Sequence, residues 1–275
     1  MKRMTLNIHS HGKGNVEEKQ RILAEFLRAE CPNAVALQEV CQTADAPEIL
    51  SPQGFYHASG IVPLRADNFL LGVHEALGKL YEIAYLPIKR GYGIYDEGVA
   101  LLCRFPIGEA KEILLTPDRP YGDWRRRAAL AVCPTSGKEW TVSLHTSWWE
   151  EGFLSQWEIL SIALSGASSA WVMGDFNVTP KRLEREGDPI SLDGYGDAFA
   201  LAREKDLEDT VSPVADGWRG REAKDGLRID QIRCRPSRPL LRYRRIFDGR
   251  CEPILSDHFG IMIEDEEREH EARNT

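Results

Sequence analysis

The residues of this chain best suited to chemistry stand at the ends of apolar runs. Asn7 lies in TLNIHSH, Glu39 in VALQEV and His145 in TVSLH. Asp175 and Asn177 close WVMGDFN, Asp230 interrupts LRIDQI, and Asp257 and His258 precede FGIMI. A short apolar run bounded by polar residues reads as a buried strand. Strand ends on one rim of a sheet converge in space, so these segments can deliver their polar heads to a single constellation. Taken one at a time, most have a plainer reading. Asn7 could be a turn amide, Glu39 a solvated charge, His145 a core histidine, Asp257 a cap or turn residue. Asp230 is harder to dismiss, because it sits between Ile229 and Ile232. Burying a lone carboxylate costs on the order of several kcal/mol, so it must be paired, and a histidine is a natural partner.

Such groups suit metal-assisted hydrolysis at phosphorus. Carboxylate and amide oxygens with few thiolates select a hard cation, Mg²⁺ or Mn²⁺. A zinc site would want clustered Cys and His, and the sequence has no such cluster. In-line displacement needs a metal to polarise the phosphoryl oxygens, a group to position water, and donors for the developing charge. Glu39 can hold the metal. Asp175 and Asn177 can orient the attacking water, while His145, His258 and Asn7 can face the phosphate oxygens. Asp230 can fix the tautomer or charge of His258.

The elements that must position these heads alternate irregularly. Strands are expected at Met4 to Ile8, Ala34 to Leu37, Gly98 to Cys103, Arg127 to Cys133, Trp140 to Leu144, Ala170 to Met173, Arg228 to Arg233 and Phe259 to Glu264. Helices are expected from Asn15, with Glu18 completing a capping-box-like start, and over Asn68 to Leu80 with Asp67 near the cap. Phe153 to Leu164 and Asp197 to Lys205 complete the set. The pattern predicts an α/β domain of two sheets packed face to face with helices outside. It spans residues 1–264 as one catalytic domain, followed by a charged tail at 265–275.

Composition sets limits. With 275 residues and 42% hydrophobic content the chain can bury a sizeable core. The net charge of −8 argues against binding nucleic acid or anionic membrane through a broad basic surface. Arg125-Arg126-Arg127 and Arg242, Arg244 and Arg245 are local exceptions, which strand alternation would split between faces. MKRMTLNIHSHGKG has no apolar stretch of a secretory signal, and no run approaches the roughly 20 apolar residues of a membrane span. The cysteines at 31, 41, 103, 133, 234 and 251 show no CxxC, and read as reduced thiols of a cytoplasmic protein.

The segments TLNIHSH, ALQEV, EGVALLCRFPI, SLHTSWW, VMGDFNV, LRIDQI and LSDHFGI, in this order, resemble the endonuclease/exonuclease/phosphatase superfamily. The resemblance implies a four-layer αββα sandwich with two packed mixed sheets and divalent-metal-dependent cleavage of a phosphoester. By it, Glu39 is a metal ligand, with Asn7 and Asp257 completing the metal region. Asp175 and Asn177 handle the water, and His145 and His258 contact the scissile phosphate, with Asp230 paired to His258. GYGIYDEGVALLCRFPI, LHTSWWEEGFLSQW, DGWRG and LRIDQI look like segments of bacterial maltose 6'-phosphate phosphatases. This implies a small phosphorylated substrate, a sugar phosphate such as maltose 6'-phosphate or a related disaccharide phosphate. Trp148, Trp149, Trp218 and Arg219 become candidate substrate-binding residues, because an indole face can stack on a pyranose ring. The acidic stretch after the Trp pair is short here, Glu150-Glu151-Gly152, which departs from that pattern. A phosphodiesterase or nuclease of the same superfamily is the rival reading, since aromatics stack bases as well as sugars. A non-enzymatic binding module is the third, and its mark would be a missing ligand or a broken Asp–His pair.

Overall fold

The protein is described from a computed structural model, over residues 1–11, 15–211 and 227–266. In chain order the first half holds β1 (Lys2–Asn7), α1 (Val16–Glu30), β2 (Ala34–Thr43), β3 (Phe55–His57), α2 (Phe69–Leu77), β4 (Glu82–Gly91), β5 (Tyr95–Cys103) and β6 (Ile107–Leu114). There follow β7 (Ala128–Pro134), β8 (Glu139–His145), α3 (Phe153–Ala163), β9 (Ser169–Asp175), α4 (Pro180–Arg185), α5 (Pro189–Leu192) and β10 (Gly196–Asp197). The last are α6 (Ala198–Leu201), β11 (Ala202–Lys205), β12 (Asp230–Arg235), β13 (Leu240–Ile246) and β14 (Gly260–Asp265). Among the described residues, one sheet runs β11-β13-β14-β1-β2-β5-β4-β3 and the other β10-β12-β9-β8-β7-β6.

Pleat alternation explains the four layers. Val35 and Leu37 of β2 face outward and pack with Leu23 and Leu27 of α1. Their neighbours Ala34 and Ala36 face inward, into a core shared with Leu130, Trp171, Met173 and Ile232 of the second sheet. Val172, beside Trp171, points the other way, onto Phe153, Trp157 and Leu160 of α3. Period-two burial on both faces thus makes helix, sheet, sheet and helix layers, the mixed α/β architecture expected.

Local rules account for the helix starts. The Asn15 side chain accepts from the N–H groups of Glu17 and Glu18. Asn68, rather than Asp67, caps α2 through the N–H of Leu70, and the Asp67 carboxylate accepts from Thr43 N–H instead. Tertiary context overrides the helix expected over Asp197 to Lys205. Only Ala198–Leu201 is helical, and Ala202–Lys205 becomes an edge strand parallel to β13. The strand β2 does not stop at Leu37 but runs to Thr43 through a bulge. Asp265 is the last residue of β14, buried and paired with Arg3 at 2.8 Å, so the ordered strand reaches one residue into the expected tail. The strands β3, β4, β6 and β13 carried no expectation. All six cysteines are free thiols. No helix among the described residues is long and apolar enough to cross a membrane.

Candidate active site

Three strand ends of the second sheet meet at Asp175. The strands β8 and β9 are parallel, with His145 opposite Asp175, and β12 is antiparallel to β9, with Asp230 opposite Asp175. Gly174 makes this close approach sterically feasible. A Cβ there would lie 2.0 Å from the carbonyl oxygen of Leu144, and its φ of +145° suits glycine. Asn177 then takes a left-handed backbone, φ 50°, and its N–H donates to Asp175 Oδ1 at 2.8 Å. Its side-chain Nδ2 donates to Thr146 O at 2.8 Å. GDFN is therefore both a turn and a site, since one carboxylate oxygen closes the turn while the other faces the cluster.

That other oxygen, Asp175 Oδ2, is shared. It accepts from Asn7 Nδ2 at 3.2 Å, and lies 3.5 Å from His145 Nε2 and 4.0 Å from His258 Nε2. Behind His258, Nδ1 donates to the buried Asp230 Oδ2 at 2.8 Å. Asp230 Oδ1 is buried without a partner. The backbone N–H groups of Ile229 and Asp230 both donate to Thr210 Oγ1, which fixes the strand end.

The first sheet supplies the opposite wall. The bulge in β2 gives Glu39 a positive φ of 52°, strain that an active site can sustain where surrounding contacts over-determine it. Glu39 O accepts from Ser10 N–H, and Ser10 Oγ accepts from Cys41 N–H, which hold the bulge. Asn7 Nδ2 also donates to Glu39 Oε1 at 2.9 Å, so Asn7 ties the metal-region candidate to Asp175. Asp257 lies 3.2 Å from His9 Nδ1 and accepts from Ser256 Oγ at 3.1 Å.

Electrostatics mark the cluster as strained. Burial, aided by Asp230, pushes the Asp175 carboxyl up to about 7. Burial and the charge of Glu97 push Glu39 up as well. His258 goes the other way for an imidazole, because burial lowers it but Asp230, Asp175 and Asp257 together raise it to about 10. His145 is held well below its usual value by burial and by Lys89, Arg127 and His258. Buried carboxylates in excess of cations favour an added cation.

Ligand atoms of Asp175, Asp230 and His258 lie within 4.8 Å of one another and could hold a metal ion. Two of the three already satisfy each other through the Asp230–His258 hydrogen bond, which favours proton handling there. Glu39, half-buried, accepts from Asn7 Nδ2 at 2.9 Å through Oε1, and its carboxylate could hold a hard cation.

A model of the Endonuclease/Exonuclease/phosphatase family matches residues 4–258. The chain belongs to this family. It is a phosphoesterase of that superfamily. Solved structures are similar at low identity. An endonuclease/exonuclease/phosphatase family protein from Leptotrichia buccalis C-1013-b shares 22% identity at a TM-score of 0.80, over 97% of this chain and all of that one. The Bacteroides thetaiotaomicron VPI-5482 mannosyl-6-phosphatase Bt3783 shares 18% at 0.62, over 96% and 98%. A humanized D. rerio TDP2 shares 16% at 0.64, over 96% and 97%. Among curated proteins, none matches the chain.

Within this family fold, the structure brings together Asn7, Glu39, His145, Asp175, Asn177, Asp230 and His258, with Asp257 joined through His9. The tryptophan pair is not in a strand. Trp149 opens a 3-10 turn, and its ring stacks on Phe153 at 5.6 Å with the Arg182 guanidinium 5.3 Å away. Trp148 packs beside Val211 and Ile229. Trp218 and Arg219 lie outside the described residues. Sequence reasoning missed His9, which stands two residues after Asn7, just past the end of β1. It also missed Lys19, whose Nζ donates to His9 O at 2.9 Å from a helix one element away, and no local pattern announces it.

Proposed function

We propose that the protein is a divalent-metal-dependent phosphomonoesterase acting on a sugar phosphate. The observation that carries the reading is Asp175 Oδ2, flanked by two histidines and an asparagine at the junction of both sheets. In this reading Glu39, with Asn7 and Asp257, holds Mg²⁺ or Mn²⁺. The ion, when bound, neutralises phosphoryl oxygens and lowers the cost of attack. The chain's own groups do the rest. Asp175, oriented by Asn177 N–H, accepts the proton of the attacking water. His258, kept cationic by Asp230, donates to a phosphoryl oxygen. His145, kept neutral, donates through one ring nitrogen, and Asn7 donates through Nδ2. Trp148, packed beside Val211 and Ile229, offers an aromatic wall for the sugar.

Support for a sugar phosphate comes from the Trp-rich segment after His145 and from the mannosyl-6-phosphatase among the structural neighbours. The net charge of −8 weighs against a polyanionic nucleic-acid substrate. The test is phosphate release by the purified protein with Mg²⁺, over hexose and disaccharide phosphates and a short DNA duplex, with Glu39→Ala as control. Release from one sugar phosphate, abolished in Glu39→Ala, is the expected outcome. Cleavage of DNA without monoester hydrolysis overturns the substrate and leaves the catalytic assignment standing.

A further inference from the structure

A cation that pairs with no carboxylate among the described residues lines the cleft beside His145. The cleft opens to solvent and is lined by Lys89, Glu97, Gly98, Arg126, Arg127 and His145, among others. Its cations differ in their partners. Arg126 donates to Glu112 Oε1 at 2.6 Å, and Lys89 pairs with Glu97 at 2.9 Å. Arg127 is only 7% exposed, and no carboxylate among the described residues pairs with it. Its Nη1 donates to the carbonyls of Trp124, at 2.9 Å, and Arg126, at 3.1 Å. Its Nε is buried and has no partner. Arg65, Arg182, Arg238 and Arg244 also have a buried Nε without a bond, but each of those guanidinium groups reaches a carboxylate. Arg127 does not.

A buried charge without a partner is costly, and a fold that retains one gains from a ligand that supplies the missing charge. The cleft shares His145 with the catalytic cluster, where His145 Nε2 lies 3.5 Å from Asp175. Burial lowers Arg127, and the charges of Glu97, Glu151, Asp175 and Glu39 oppose that, so cleft and cluster form one electrostatic site.

We propose that Arg127 is a specificity-determining residue that selects a terminal, dianionic phosphate over a diester. The proposal deepens the phosphoesterase reading above and rests on it. A monoester phosphate carries close to two negative charges near neutral pH, because its second pKa is about 6. A diester carries one. Of the other cations facing this region, Lys89 is paired with Glu97 and Arg126 with Glu112, and His258, bound to Asp230 through Nδ1, has one N–H to give to a monoester or a diester alike. The extra charge of a monoester therefore falls to Arg127. A guanidinium also presents its N–H groups in a plane matched to two phosphoryl oxygens. In a diester one more of those oxygens is esterified and accepts poorly.

The test is binding, measured apart from turnover. Methylphosphonate and its monomethyl ester are titrated calorimetrically, in alkaline buffer, where the first is a dianion and the second a monoanion. Wild-type protein is compared with Arg127→Gln and Arg127→Met. Wild type is expected to prefer the dianion by about 10-fold or more, as charge-assisted bonds of this kind allow. Arg127→Gln should erase that preference by losing affinity for the dianion alone. Arg127→Met, without ligand, should melt no lower than wild type, because an unpaired buried charge has gone. Equal loss for both ligands, no loss, or no binding by wild type overturns the proposal. So does a clearly lower melting temperature for Arg127→Met, which would make the guanidinium a structural tie to Trp124 and Arg126. A wild type that shows this preference yet releases phosphate from no sugar phosphate would refute the sugar-phosphatase reading and leave the anion selectivity intact.

Discussion

The same two sheets bury charge at both ends, and the two ends differ in how that charge is balanced. At the end where β1, β8 and β9 begin, Arg3 pairs with Asp265 at 2.8 Å and Glu139 at 2.7 Å, and Arg238 pairs with Glu139 at 2.7 Å. Two cations meet two carboxylates, and both guanidinium groups also lie over the Trp171 ring, at 3.9 and 4.5 Å. Burial would raise Glu139, but Arg3 and Arg238 hold it below the usual carboxylate range. At the end where those strands finish, Glu39, Asp175, Asp230 and Asp257 outnumber their cationic partners, and Asp175 and Glu39 are pushed up. The balanced end holds the sheets together. The unbalanced end is held together by them, and its excess negative charge is eased by protonation or by a bound cation.

The largest expected effect comes from removing the shared oxygen of the unbalanced end. Asp175→Asn is nearly isosteric and should cut kcat by about 10³-fold or more, as loss of a positioned base does, without lowering the melting temperature. A large loss of stability would place Asp175 with the structural charges and erase the contrast. The converse substitution is Glu139→Gln, which leaves Arg238 without its carboxylate. It should cost about 2–3 kcal/mol in denaturant unfolding, below the range for fully buried pairs because Glu139 is 29% exposed. Its kcat should stay near wild type. A kcat effect larger than its loss of folded protein would show that the two ends communicate.

The pH dependence sharpens the comparison further. For Asp175 the folded value is raised from 3.8 to about 7, so its contribution to stability is full below 3.8 and is lost as pH rises through 7. His258 is raised from 6.5 to about 10, so its contribution is full below 6.5 and is lost as pH rises through 10. Glu139 is lowered, so its contribution is present above its unfolded value and is lost as pH falls through the folded one. Acid should therefore weaken the balanced end and relieve the other. In activity, kcat/KM should rise through about pH 7 as Asp175 ionises and fall near 10 as His258 deprotonates. Asp230→Asn should move the alkaline limb to lower pH. A limb that stays in place would separate it from His258.

The sequence by itself determined the polar heads and the strands that carry them. Asp230 between two isoleucines demanded a partner, whatever the surrounding fold. The uninterrupted apolar runs that open VALQEV and WVMGDFN were enough to imply buried strands, because successive side chains of a strand point to opposite faces and both must then be covered. The tertiary structure decided what depends on pairing across distant segments. The bulge that turns Glu39 into the site arises from register against β5, and the edge strand Ala202–Lys205 replaces a helix because β13 offers it hydrogen bonds. The partners of Arg125-Arg126-Arg127 could not be read from the triplet either. Only the packed sheets give Arg126 a glutamate and leave Arg127 buried beside His145 with no carboxylate partner among the described residues, because a charge's counter-ion is fixed by three-dimensional neighbours rather than by spacing along the chain.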